Sequence, residues 1–284
     1  MKIARIGGAG EEVCAVVDAA GTYKLLPPEF NEALKRGPTP KTIDDIRRFD
    51  ISGAPSAAAS RLGSPVATPG KFVAIGLNYS DHAKESGMAI PSEPVVFMKA
   101  TSCIVGPNDP IILPVGSQKT DWEVELGIVI GTSASYVSEA EALDYVAGYL
   151  LVNDVSEREY QNERGGTWDK GKGCDTFGPL GPWFVTADEV PDPQALDLWL
   201  DVNGEPAQRG NTATMIFSCA EIISYVSRFM TLLPGDIITT GTPPGVGMGK
   251  KPPMYLKAGD LLTLGISGLG EQRQEVLRHP LDQG

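Results

Sequence analysis

The chain has 284 residues, 42% of them hydrophobic, and a formal charge of −12. It is globular and long enough for one or two domains, and its acidity argues against nucleic acid and anionic membranes as partners. No apolar run approaches about 18 residues, so no transmembrane helix is predicted.

The start, Met1-Lys2-Ile3-Ala4-Arg5-Ile6-Gly7-Gly8, lacks the apolar core of a signal peptide and predicts a first strand entering a turn. Cys14, Cys103, Cys174 and Cys219 are scattered without a Cys-x-x-Cys pair, which fits a reduced, cytoplasmic protein. An anionic substrate stays open, because a metal and one lysine reverse a local sign.

Residues 1–68 predict a small leading α/β domain. It has strands over 2–6, 13–17 and 22–26, helices near 29–35 and 42–49, and an Ala/Ser/Gly/Pro-rich linker over 52–69. Residues 69–284 predict a second domain. Phe72 to Ile75 predicts a strand closed by Gly76, and Ser80 is placed to cap a short helix that Gly87 ends. On that helix His82 and Glu85 share a face. The pair suits a water-activating base, although by itself the spacing favours an exposed His-Glu pair. Strands follow over 95–99 and on both sides of the turn Gly106-Pro-Asn-Asp109.

Thr120 to Gly131, Thr-Asp-Trp-Glu-Val-Glu-Leu-Gly-Ile-Val-Ile-Gly, alternates as a strand, with Val124, Leu126, Ile128 and Ile130 on one face. Glu123 and Glu125 share the other face, with Cα atoms roughly 7 Å apart. They repel unless a cation lies between them, or unless the face is an edge bathed in solvent. A second apolar run, 149–152, ends in Asn153-Asp154, which puts a third carboxylate at a strand end. Three carboxylates without Cys or His form an oxygen-only set suited to Mg²⁺, Mn²⁺ or Ca²⁺. Asp154 also suits a helix cap.

Ser138-x-x-Glu141 predicts a capped helix that carries Leu143, Val146 and Ala147 inward. A helix begun near Ser156 puts Arg158 and Gln161 one turn apart. Residues 165–173 are Gly-rich and predict a mobile loop bearing Lys170 and Lys172. Lys172 suits a substrate carboxylate or an oxyanion, or plain solvation. Residues 195–203 predict a strand before the hairpin turn Asn203-Gly204. Ser218 to Phe229 predicts a capped amphipathic helix with Ile222, Ile223, Val226 and Phe229 on the core side. Thr240 and Thr242 follow a strand and offer hydroxyls to an anion. Strands over 255–266 and 272–277 close the chain, and His279 is expected to be exposed. Neither a phosphate loop nor a Gly-x-Gly-x-x-Gly fingerprint occurs in the right context.

Five motifs then fall in order: Gly76-Leu-Asn-Tyr-Ser-Asp-His82 with Glu85, Glu123-x-Glu125, Asn153-Asp154 with Arg158 and Gln161, Lys172 ahead of Asp175-Thr-Phe177, and Thr240-Gly-Thr-Pro243. Over about residues 70–277 the chain resembles the fumarylacetoacetate hydrolase family. The resemblance implies an α+β, mainly β fold, with a mixed β-roll catalytic domain behind the small N-terminal domain, assembled as a homodimer or higher homo-oligomer. It implies that Glu123, Glu125 and Asp154 hold Mg²⁺ or Mn²⁺, and that His82 and Glu85 sit on a lid. Lys172 is then catalytic with that pair, and Tyr79, Arg158, Gln161, Thr240 and Thr242 are assigned to a 2-oxo acid substrate.

The runs 117–127 and 163–177 resemble the branch that hydrolyses 2,4-diketo-3-deoxy-L-rhamnonate or fuconate, some of whose relatives are labelled ureidoglycolate lyase. The expected reaction is metal-dependent hydrolysis of the C3–C4 bond of a 2,4-diketo acid. The rivals are a ureidoglycolate lyase or an oxaloacetate decarboxylase on the same scaffold and, more distantly, a non-catalytic metal-binding protein.

Overall fold

The computed structural model describes residues 1–58, 61–81 and 89–282. Two sheets dominate, so the chain is α+β and mainly β. The larger sheet runs in the order Ser56–Ala57, Tyr23–Leu25, Val13–Val17, Lys2–Ile6, Phe184–Thr186, Val146–Asn153, Val124–Ile130, Ile237–Thr239, Phe72–Gly76 and Val95–Lys99, with Leu62–Gly63 also paired to Lys2–Ile6. It is mixed: Ile237–Thr239 runs parallel to Phe72–Gly76, and the other pairs of that path are antiparallel. The leading strands therefore join the same sheet as the later ones, through Lys2–Ile6 against Phe184–Thr186.

The second sheet holds Glu205–Asn211, Asp197–Val202, Leu261–Ile266, Gly270–Leu277 and Ile111–Ile112. Val124–Ile130 and Val146–Asn153 pack on it, so both are covered on two faces. Every residue of Val124–Ile130 is buried, which removes the solvated-edge alternative and explains its run of β-branched residues. Three buried glutamines tie the layers. Gln208 Oε1 accepts from Val124 N at 3.0 Å, Gln274 Oε1 accepts from Asn153 Nδ2 at 3.1 Å, and Gln272 Nε2 donates to Leu151 O at 2.9 Å. In a dry interior such polar groups must be paired.

Several expectations give way to packing. Glu139–Tyr145 is a 3-10 helix, and Ser138 Oγ bonds the Glu141 side chain with no bond to the backbone. Leu143 is exposed, while Val146 and Ala147 belong to the next strand. The Ser218 capping box is present, but its helix, Cys219–Val226, ends before Phe229, which is 63% exposed. The last pair of strands starts at Leu261, not Tyr255, and His279 is half-buried, its Nδ1 accepting from Leu281 N. Among the described residues no helix is long and apolar enough to cross a membrane, and the four cysteines are free thiols.

Candidate active site

Sheet register assembles the acidic cluster. Val124 pairs with Asn153, so Glu123 and Asp154 flank the same end of two neighbouring strands, and Asp154 N donates to Glu123 O at 2.9 Å. Glu125 is gripped from the other neighbour: its Oε2 accepts from Thr239 Oγ1 and from Gly241 N at 2.8 Å. Gly241 has φ of 92°, and a Cβ there would meet Asn78 at 2.8 Å, so glycine is required. Donor oxygens of Glu123, Glu125 and Asp154 lie within 4.8 Å of one another, and all three residues are buried. Asp154 caps no helix; the helix Arg158–Asn162 has Glu157 as its N-cap.

Residues 169–172 form a short helix where a mobile loop was expected. It lies close against its neighbours because Gly171 faces Glu157 O, where a Cβ would come within 2.4 Å. That approach buries Lys172, whose Nζ lies 2.6 Å from Glu123 Oε2 and 2.7 Å from Asp154 Oδ2. Lys170 is exposed and donates to Arg164 O. Arg158 NH2 lies 2.7 Å from Glu123 Oε1, and its NH1 donates to Gln161 Oε1 at 2.9 Å.

Two members of the cluster were not foreseen. Asp121 is fully buried, holds Arg158 at 2.8 Å and accepts from Gly247 N at 2.7 Å. Lys99, 1% exposed, puts Nζ 2.6 Å from Asp154 Oδ1 and donates to Lys172 O. A charged residue ending the apolar strand Val-Val-Phe-Met-Lys99 was the available signal for the latter.

Among the described residues, four carboxylates (Asp121, Glu123, Glu125, Asp154) thus face three cations (Lys99, Arg158, Lys172), a formal surplus of one negative charge when all are ionised. Burial alone would raise the Glu123 carboxyl, but Lys172 and Arg158 outweigh it and hold it at about 2. Burial, then the charges of Asp154 and Glu123, push Glu125 well above the usual carboxylate range. Burial would lower the Lys172 ammonium, yet Asp154 and Glu123 raise it. Among the described residues no ion pair reaches Glu125, so its carboxyl is the one pushed toward the protonated form. An oxygen-only set with one surplus charge fits a hard divalent cation.

Glu123, Glu125, Arg158, Gln161, Lys172 and Thr242 line a cavity of about 100 Å³ with Ile75, Gly76, Leu77, Phe97, Asn162, Trp168, Gly241 and Met248. Leu77 holds a left-handed φ of 51° there, an uncommon conformation for a branched residue. Thr242 spends its proton on Val124 O and accepts from Gln208. Thr240 does not line the cavity, and its hydroxyl donates to Leu126 O at 2.9 Å. Tyr79 also lies behind the wall, fully buried and with its hydroxyl unpaired; nothing among the described residues explains that. His82 and Glu85 lie outside the described residues.

With this geometry in place, the chain belongs to the fumarylacetoacetate hydrolase family: the family model described as fumarylacetoacetate (FAA) hydrolase C-terminal matches residues 71–277. It is thus an enzyme of that family. A Burkholderia ambifaria protein, named only as a candidate hydrolase, is 58% identical over 278 residues, covering 97% of this chain and 99% of that protein. The solved fumarylacetoacetate hydrolase of psychrophilic Exiguobacterium antarcticum is 37% identical, with TM-score 0.86 over 98% of this chain and 100% of its own. The 2-hydroxyhepta-2,4-diene-1,7-dioate isomerase of Mycobacterium marinum is 34% identical, with TM-score 0.78 over 99% of each chain.

Proposed function

We propose that the protein is a divalent-metal-dependent hydrolase that cleaves the C3–C4 bond of a 2,4-diketo acid, giving pyruvate and a hydroxy acid. The substrate we favour is 2,4-diketo-3-deoxy-L-rhamnonate or a similar sugar acid. The observation that carries this reading is the burial of Glu123, Glu125 and Asp154 within reach of one another, with Lys172 against two of them and with Glu123, Glu125 and Lys172 lining one cavity. The charge balance supports it: one surplus negative charge, one divalent cation and one substrate carboxylate sum to zero.

Those three carboxylates would hold Mg²⁺ or Mn²⁺, which when bound supplies Lewis-acid polarisation and a template for the 2-oxo carboxylate end. The Glu85-His82 pair takes a proton from water, and the hydroxide adds to the C4 ketone. Lys172, with Gln161 beside it, stabilises the resulting oxyanion, an effect typically worth about 3 kcal/mol per donor. The C3–C4 bond then breaks, the electron pair leaves with pyruvate as its enolate, and C3 is protonated. Arg158 and Gln161 meet the substrate as a hydrogen-bonded pair, while Thr240 and Tyr79 support the wall from behind. The working unit is a homodimer, which sedimentation tests.

The deciding experiment incubates the protein with 2,4-diketo-3-deoxy-L-rhamnonate and Mg²⁺, with an EDTA control, and follows pyruvate and lactate. Both products, formed only with metal, are expected. Carbon dioxide from oxaloacetate, or glyoxylate from ureidoglycolate, with no pyruvate here would move the function to a decarboxylase or a lyase. His82→Ala should lower turnover by about 10²-fold or more while calorimetry still detects Mg²⁺ binding. Undiminished turnover would remove His82 from the mechanism.

A further inference from the structure

The cavity lining joins ionic groups to an apolar wall of Phe97, Trp168 and Met248 beside Ile75 and Leu77. The two meet at Phe97, whose ring centroid lies 5.3 Å from Lys172 Nζ. Trp168 stands edge-on to Phe97, with ring centroids 5.2 Å apart. It also lies over Gly76, where a Cβ would come within 2.3 Å of the indole, so glycine is what lets the indole in. Trp168 directly precedes the helix that carries Lys172. That helix is held at one end by the Lys172 ion pairs and at the other by Asp169, whose Oδ1 accepts from Met98 N at 3.2 Å. Trp168 is therefore tied to the same element as the ammonium.

Charge points the same way. Among the described lining residues the cations are Arg158 and Lys172, and both are already paired with carboxylates. A substrate with one carboxylate at the metal end closes the local balance. A second carboxylate against that wall would meet indole and thioether, with no unpaired cation among the described lining residues to receive it, an unfavourable placement.

We infer that this wall selects the acyl end of the substrate: a short, uncharged acyl group ending in alkyl carbon, with Trp168 as the specificity-determining residue and terminal carboxylates excluded. The inference rests on the diketo-acid hydrolase reading and narrows it. It separates this chain from dicarboxylate chemistry of the kind named for the Mycobacterium marinum isomerase, and it suits a rhamnonate-derived tail, which ends in a methyl group.

The test measures kcat/KM for pyruvate release by the full chain with Mg²⁺ on 2,4-dioxopentanoate, 2,4-dioxohexanoate, 2,4-dioxoheptanoate and 2,4-dioxoheptanedioate. We expect a rise of about fourfold per methylene along the neutral series, and a value for the dioate about 100-fold or more below its neutral counterpart. Trp168→Ala should flatten the chain-length dependence. Met248→Lys, at a position 39% exposed and so tolerant of charge, should shrink the neutral-to-dioate ratio by about tenfold. A dioate cleaved as well as the neutral acid, a flat neutral series, or an unchanged ratio in Met248→Lys would each overturn the inference and leave the hydrolase reading standing, since pyruvate still forms. No pyruvate from any of the four would overturn the hydrolase reading, and the inference with it.

Discussion

Lys99→Met isolates the least expected charge in the cluster. Methionine keeps most of the side-chain length but removes the ammonium 2.6 Å from Asp154 Oδ1. Both partners are at most 1% exposed, so water cannot screen Oδ1 once its partner is gone, and only Lys172, on Oδ2, still faces the carboxylate. Breaking a buried pair by deleting one partner typically costs about 3–5 kcal/mol. About 2.1 cal/mol/K per residue over 284 residues gives ~0.6 kcal/mol/K, so the unfolding midpoint in EDTA should fall by about 5–8 °C. With Glu125 ionised, as a metal requires, the surplus negative charge of the described cluster would rise from one to two. Saturating Mg²⁺, which binds only the folded cluster, should therefore raise the midpoint more in the variant than in the parent. Scanning calorimetry with EDTA and with Mg²⁺ measures both effects. A drop in EDTA below about 1 kcal/mol, the scale of an exposed pair, would refute the assignment of Lys99 as a buried countercharge. An equal Mg²⁺ increment in the two proteins would refute the charge count.

Lys172→Met should lower kcat by about 10²–10³-fold without weakening Mg²⁺ binding in calorimetry, because the ammonium and a metal draw on the same oxygens, Glu123 Oε2 and Asp154 Oδ2; weaker binding would mean that the lysine orders the ligands instead. Glu125 has its pKa raised by burial and by Asp154 and Glu123, and a metal needs it ionised. Mg²⁺ affinity should therefore strengthen as pH rises from the ordinary carboxylate range, with a proton released on binding. Titrations in buffers of different ionisation heat read that release, and identical apparent heats would contradict it. Gly76→Ala pushes a methyl to within 2.3 Å of the Trp168 ring and should cost about 1–3 kcal/mol in urea unfolding; an unchanged midpoint would show that the indole yields freely.

Local periodicity was enough to put Glu125 on a buried strand, to end the next strand just before Asp154, and to set Arg158 one turn from Gln161, because these relations depend only on the repeat of a single element. The predicted strand over 120–131 is broken before Val124, so Glu123 stands outside it and Thr120–Asp121 pairs with Ser156–Glu157 instead. The Asn203-Gly204 hairpin and the Ser218 cap were legible for the same reason. What the sequence could not decide was which surfaces meet. Only the sheet register makes Glu123 and Asp154 neighbours, and only the second sheet turns a half-buried strand into one covered on both faces. Whether Lys172 dangles in solvent or sits among carboxylates depends on how closely Gly171 lets its helix approach Glu157. Lys99 and Asp121 look ordinary along the chain; they became part of the site because a charge buried by long-range packing must find a partner across the fold.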